Sequence, residues 1–362
     1  MNHIAMLRAC SAPPPARLAP TVVRLGLLPL RPSNGPKRSP ARTPMDATSI
    51  AGSGPTAWIW AFAFVVTLLA NIPAHAYDLV VSSDPDEMTS DQSDSLYRYK
   101  GPQGSRTGII ELPSTGGEAN PFGVYSEPNK TVYVTSRGTN SILRLDKNNR
   151  FDTLVEANSG GLKDPFYIIK HRDGYLYVSS RGTNEIKRYD AETGEFVDNF
   201  VEQDAGGLKL PRGLRFGPDG NLYVNSSGSD QVLVYDGQTG AFIQEFQFSD
   251  PDAVIRVPCG LAFDRDGKRW NMCLGSAASP PEGLDPYGSA IAGGVACFDW
   301  ASGERIARIP DKQTCGVDFG PDGRLYIAFA GSQKVGVYSL RDSDLRIFDE
   351  DIPNPRALAV AP

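Results

Sequence analysis

Residues 211–228 read PRGLRFGPDGNLYVNSSG and run on through SDQVLVYDGQTG to residue 240. Leu214 and Phe216 alternate with Gly213 and Arg215, the period of two expected of a half-buried strand. Gly-Pro-Asp-Gly at residues 217–220 predicts a turn, in which proline sets φ and glycine supplies φ > 0. Residues 222–224 then make a second strand, a loop through Gly228 leads to a third at 232–235, and Gly240 turns the chain into a fourth at 241–246. The pattern also begins at Pro121 (PFGVYSEPNKTVYVTSRG), Pro165 (PFYIIKHRDGYLYVSSRG), Pro258 (PCGLAFDRDGKRWNMCLG) and Thr314 (TCGVDFGPDGRLYIAFAG). The starts are spaced by 44, 46, 47 and 56 residues, with 41 more to Pro355. Self-similarity at such a period marks a repeat architecture. Units this short cannot bury their own faces and must stack on neighbours; radial stacking closes a propeller.

The termini complete the count. Residues 355–360 (PRALAV) read as a first strand with nothing after it. Residues 78–83 (DLVVSS) match a second strand, and 96–99 and 108–112 supply a third and fourth. The expected fold is therefore all-β: a six-bladed β-propeller of four-stranded antiparallel blades, closed by one C-terminal and three N-terminal strands. The apolar run at 57–70 is shorter than the roughly 20 residues that span a bilayer. Ala74-His-Ala76 after it presents small residues to a signal peptidase, predicting cleavage before Tyr77, where the first strand of the repeat array begins. Met45 to Thr56 lacks the usual positive charge, so an uncleaved anchor is the alternative. Residues 1–44 hold nine prolines, six arginines and no acid, a composition that does not order itself. They are a targeting extension or upstream sequence, with the start open between Met1, Met6 and Met45. The organisation is thus an extension at 1–44, a signal peptide at 45–76 and a propeller at 77–362.

The Pro-x-Gly-apolar opening, the Gly-Pro-Asp-Gly turn and the Leu-Tyr-Val strand resemble the NHL repeat of bacterial secreted propellers, across essentially all of 77–362. More distantly they are similar to the gluconolactonase (senescence-marker) superfamily. The resemblance implies the fold. Propellers of this kind include lactonases, lyases and binding modules, so it leaves the function open.

Seven of the 36 basic and one of the 42 acidic side chains precede residue 77, leaving 29 against 41 and a formal charge of −12 on the propeller. Nucleic-acid phosphates and anionic lipid heads repel such a body. In antiparallel blades the start of strand one and the loop between strands two and three share one face of the disc. That channel-mouth face collects the variable residues. The second position of each repeat is Phe122, Phe166, Arg212, Cys259, Cys315 and Arg356 in turn. The loops add Arg137 and Arg181, each in an Arg-Gly-Thr-Asn, and two insertions, 84–94 and 276–293. Arg212, Arg356, Arg137 and Arg181, with Asn225, are the candidate ligand-binding residues, suited to a carboxylate or other anion. The competing account makes Arg137 and Arg181 solvated turn residues. Asp84, Asp86, Glu87 and Asp91 offer oxygens to calcium or another divalent ion, but without the glycine and terminal glutamate of a calcium loop. A solvated acidic loop is the competing reading.

Histidine is scarce: His3 and His75 precede the expected cleavage, and His171 belongs to a turn on the opposite face. That leaves no polyhistidine zinc site, streptogramin-lyase base or Ser–His–Asp triad. The gluconolactonase resemblance implies Glu, Asn and Asp metal ligands at first strands. Here the aligned residues are Phe, Arg and Cys, and Asn120, Asn225 and Asn354 form no matching triad. Cys259, Cys273, Cys297 and Cys315 suggest two disulfides in an oxidising compartment, with three pairings open. The reading is an exported, monomeric, non-catalytic module without a cofactor. It binds a small molecule, glycan or protein, and neither nucleic acid nor, after signal cleavage, a membrane. The alternative is a divalent-metal-dependent lactonase or hydrolase.

Overall fold

The turn at residues 217–220 folds as its composition requires. The Gly220 amide donates to the Gly217 carbonyl at 3.0 Å, Gly220 holds φ at +82°, and Asp219 Oδ1 accepts the Asn221 amide at 3.1 Å. It joins Pro211–Phe216 to Leu222–Ser226, and Gln231–Tyr235 and Phe242–Glu245 complete an antiparallel sheet in chain order. The computed structural model describes residues 77–85, 94–113, 119–249, 255–266, 269–278 and 293–361, and within them such a four-stranded sheet occurs six times.

Blade 1 takes its innermost strand, Pro355–Val360, from the C-terminus and its other three, Asp78–Ser83, Ser95–Lys100 and Ser105–Glu111, from the N-terminal end. Blades 2 to 6 have innermost strands Pro121–Ser126, Pro165–Lys170, Pro211–Phe216, Pro258–Asp266 and Gly316–Phe319. Each innermost strand packs on the next, and blade 6 packs on blade 1, so the ring closes. The all-β six-bladed propeller and the shared blade are thus as expected. The extension, the signal peptide, Asp86, Glu87, Asp91 and most of the second insertion (279–292) lie outside the described residues.

Burial follows position in the blade. In blade 4, every residue of Leu222–Ser226 is buried, whereas every residue of the outer strand Phe242–Glu245 is exposed. The middle strands are covered on both faces. Leu222, Val224 and Leu233 belong to the apolar body shared with blades 2 and 3, while Tyr223, Val232 and Val234 pack on Leu261, Met272 and Phe298 of blade 5. Simple alternation therefore fails in these strands, because the neighbouring blades bury both sides.

At Gly123, Gly213 and Gly260 the neighbouring innermost strand approaches closely enough to exclude a side chain. A Cβ on Gly260 would lie 1.9 Å from the Cys315 carbonyl oxygen, so the Pro-x-Gly opening is a packing requirement. Two disulfides brace blades 5 and 6. Cys273–Cys297 joins directly opposed residues of adjacent strands in blade 5, and Cys259–Cys315 joins the innermost strand of blade 5 to the residue just before that of blade 6.

Candidate functional site

A repeated backbone irregularity builds the channel mouth. In blades 2 to 5 the pairing register shifts between the opening proline and the fourth residue of the innermost strand: Pro121/Val124, Pro165/Ile168, Pro211/Leu214 and Pro258/Leu261. Such bulges re-aim side chains. The residue before each opening proline lies in the left-handed region, with φ of +42° at Asn120, +50° at Asp164, +48° at Leu210, +47° at Val257 and +42° at Asn354. Strand-two side chains hold the bulged backbone. Thr135 Oγ1 accepts the Gly123 amide and Ser179 Oγ the Tyr167 amide, each at 2.8 Å, and Ser82 Oγ accepts the Ala357 amide at 3.1 Å.

The second-position side chains meet at the axis. Phe122, Phe166, Arg212, Cys315 and Arg356 line a cavity of about 200 Å³ together with Arg137 and Arg181. Four of the five residues proposed from sequence thus share one pocket. The Phe122 and Phe166 rings stack with centroids 3.7 Å apart. The Arg212 guanidinium carbon lies 4.7 Å from the Phe166 centroid, and that of Arg137 lies 5.2 Å from it on a second approach. Stacking of this kind orients a guanidinium while leaving its edge for an anion.

Asp164 is shared. Arg137 Nε donates to its Oδ1 at 2.6 Å and Arg181 Nη1 to its Oδ2 at 2.5 Å. Burial opposes ionisation of Asp164, but the two guanidinium hydrogen bonds outweigh it and hold the carboxyl below the usual carboxylate range. Arg137 and Arg181 are therefore held at the mouth by ion pairs to Asp164, with 29% and 25% of their side chains exposed. Arg212 has no carboxylate partner among the described residues. Its Nη1 lies 3.5 Å from Cys259 Sγ, and its Nε is buried without a hydrogen-bond partner. Burial, reinforced by the charges of Arg181 and Arg137 and only partly offset by Asp164, pushes its pKa down to about 10.

Arg356 is held differently: its Nη2 lies 3.2 Å from Asp84 Oδ2. Asp84, one of the four proposed metal ligands, therefore faces a guanidinium. Asn225 stands apart from the pocket. It is fully buried, and its Nδ2 donates to the Gly260 carbonyl at 3.0 Å, so it braces blade 4 against blade 5. Among the described residues no three His, Cys, Asp or Glu side chains gather as a metal site. Among them, too, no helix is long and apolar enough to cross a membrane.

Tyr167 was not singled out from sequence. It occupies the third position of its innermost strand, where blades 2, 4, 5 and 6 have Gly123, Gly213, Gly260 and Gly316 and blade 1 has Ala357. Its side chain is fully buried and reaches the Val317 backbone of blade 6, the blade opposite its own, without good hydrogen-bond geometry. Tyr167 therefore crosses the channel. Burial pushes its phenol up to about 12. The signal for this was present: one bulky residue in a column of glycines.

No protein-family model matches the sequence. No curated protein matches it. Solved structures of similar fold include a chain of a nidogen/laminin complex, 16% identical with a TM-score of 0.59, covering 79% of this chain and 98% of that one. Virginiamycin B lyase from Staphylococcus aureus is 14% identical with a TM-score of 0.47, covering 67% of this chain and 75% of the lyase. At these identities the nidogen-complex chain shows a common fold, and the lyase score is too low to support more. What the chain shares with the nidogen/laminin-complex chain is the fold alone.

Proposed function

We propose that this chain is an exported propeller of the NHL-repeat type that binds a ligand through an anionic group at its arginine-lined channel mouth. One observation carries the reading: Arg212 is a substantially buried guanidinium with no carboxylate of its own. Arg137 and Arg181 beside it share the single carboxylate of Asp164. Three positive charges against one, in a site walled by Phe122 and Phe166, favour an incoming anion. The two disulfides favour an oxidising, extracytoplasmic compartment. A cavity of about 200 Å³ admits a single carboxylate-bearing group, such as an acidic side chain, a uronic-acid carboxylate or a small carboxylic acid. The chain of similar fold belongs to a nidogen/laminin complex, a precedent for a protein as bearer of that group.

Calorimetric titration of the purified protein with succinate, glucuronate and an acidic peptide tests this. At least one should bind, and Arg212→Met should weaken it roughly tenfold or more, the worth of one charge-assisted hydrogen bond. Absence of binding by all three, or equal binding by the variant, would overturn the reading.

A further inference from the structure

The opposite mouth of the channel holds a second cavity, of about 540 Å³. The residues lining it and those lining the arginine pocket do not overlap. Its walls join apolar side chains, Tyr125 and Ile169 from blades 2 and 3, Phe216 from blade 4, Phe319 from blade 6 and Ala359 from blade 1, with Ser126, Lys170, His171 and Arg172 at the rim. At the wall Arg215 and Asp318 face each other from blades 4 and 6 with Nη2 and Oδ1 3.6 Å apart. That distance is too long for a hydrogen bond, so this pair is electrostatic and open.

Each member is anchored on its far side. Asp318 accepts the Val360 amide at Oδ2 and its own Phe319 amide at Oδ1, both at 3.1 Å. Arg215 Nη1 donates to the Leu214 carbonyl at 3.4 Å. A donor and an acceptor are thereby presented side by side in the cavity. Apolar walls with convergent polar groups are the usual composition of a small-molecule site.

We propose that this cavity is a second binding site, independent of the arginine pocket. Its ligand is a small molecule with an apolar body ending in an adjacent hydrogen-bond acceptor and donor. The acceptor takes the Arg215 guanidinium and the donor gives to the Asp318 carboxylate, while Phe216, Phe319 and Tyr125 enclose the body. An α-amino acid with a large apolar side chain and a primary carboxamide share this chemistry.

Titration of the full protein with L-phenylalanine and with 3-phenylpropanamide tests the proposal and separates these sources. 3-Phenylpropanoate, which offers the acceptor alone, is the control. One or both of the first two should bind, roughly tenfold or more tighter than the control. Asp318→Asn and Arg215→Met should each weaken that binding roughly tenfold. The asparagine variant keeps an acceptor for the Val360 amide, so it reads the proposal even if the arginine variant fails to fold. Saturating succinate should leave the affinity unchanged. Absence of binding by both probes, binding indifferent to the foldable variants, or displacement by succinate would each overturn the proposal.

Discussion

Arg212 and Leu210 show how strain gathers at the channel mouth. A guanidinium confined near two others is held at a loss in the unliganded protein, because burial and like charge both disfavour it. Arg212→Met should therefore stabilise the unliganded protein by about 1 kcal/mol or more while weakening anion binding. Chemical denaturation without ligand checks the sign; a loss of stability would mean that Arg212 is better compensated than its contacts indicate. Leu210 is a different case. Its φ of +48° costs an L-residue roughly 1–2 kcal/mol, and only Gly, Asn and Asp enter that region readily. Its backbone contacts, from its amide to Asn184 Oδ1 at 2.8 Å and from Ser227 Oγ to its carbonyl at 2.7 Å, survive substitution. Leu210→Asn should raise stability by about 1 kcal/mol, seen as a higher urea midpoint at unchanged slope.

The innermost strands do two jobs at once. Their third-position glycines let neighbouring strands close on one another, and their second residues aim into the mouth. Cys259–Cys315 ties one of these strands to the residue just before the next across a sequence separation of 56, whereas Cys273–Cys297 ties neighbouring strands of one blade across 24. The chain-entropy model gives about 4 kcal/mol for the longer loop and about 3.5 kcal/mol for the shorter. Replacing both Cys259 and Cys315 by alanine should therefore destabilise more than replacing both Cys273 and Cys297. Only the first pair of changes should alter anion affinity, since Cys315 lines the pocket and Arg212 rests on Cys259. Thermal melts and titrations of the two double variants would show whether the order and the split hold.

Closure of the ring rests on Pro355–Val360. This strand pairs with Asp78–Ser83 and packs on the innermost strands of blades 2 and 6. Its Ala357, Leu358 and Ala359 are almost fully buried, and removing residues 355–362 would uncover Leu79, Val80 and Val81 on the neighbouring strand. Such a truncation should abolish cooperative unfolding rather than lower its midpoint by a few degrees. A truncated chain that still melts in one sharp transition would show that five complete blades and an open sixth suffice.

The architecture was legible in the chain because it depends on local, repeated chemistry. The Gly-Pro-Asp-Gly turn, the spacing of the opening prolines and the unpaired strand sequences at both ends each name their own conformation. The convergence of Arg137, Arg181, Arg212 and Arg356 was partly legible, since strand direction places them on one face. Their partners were not. Asp164 and Asp84 pair with arginines from other parts of the chain, a matter of distance in space. The contact of Asn225 with Gly260 was not legible either, because Gly260 comes from the next blade. Which cysteines pair, where Tyr167 points and how Arg215 meets Asp318 likewise followed only from closing the ring. Residues far apart in sequence reach a common axis there, and no local pattern encodes which of them will meet.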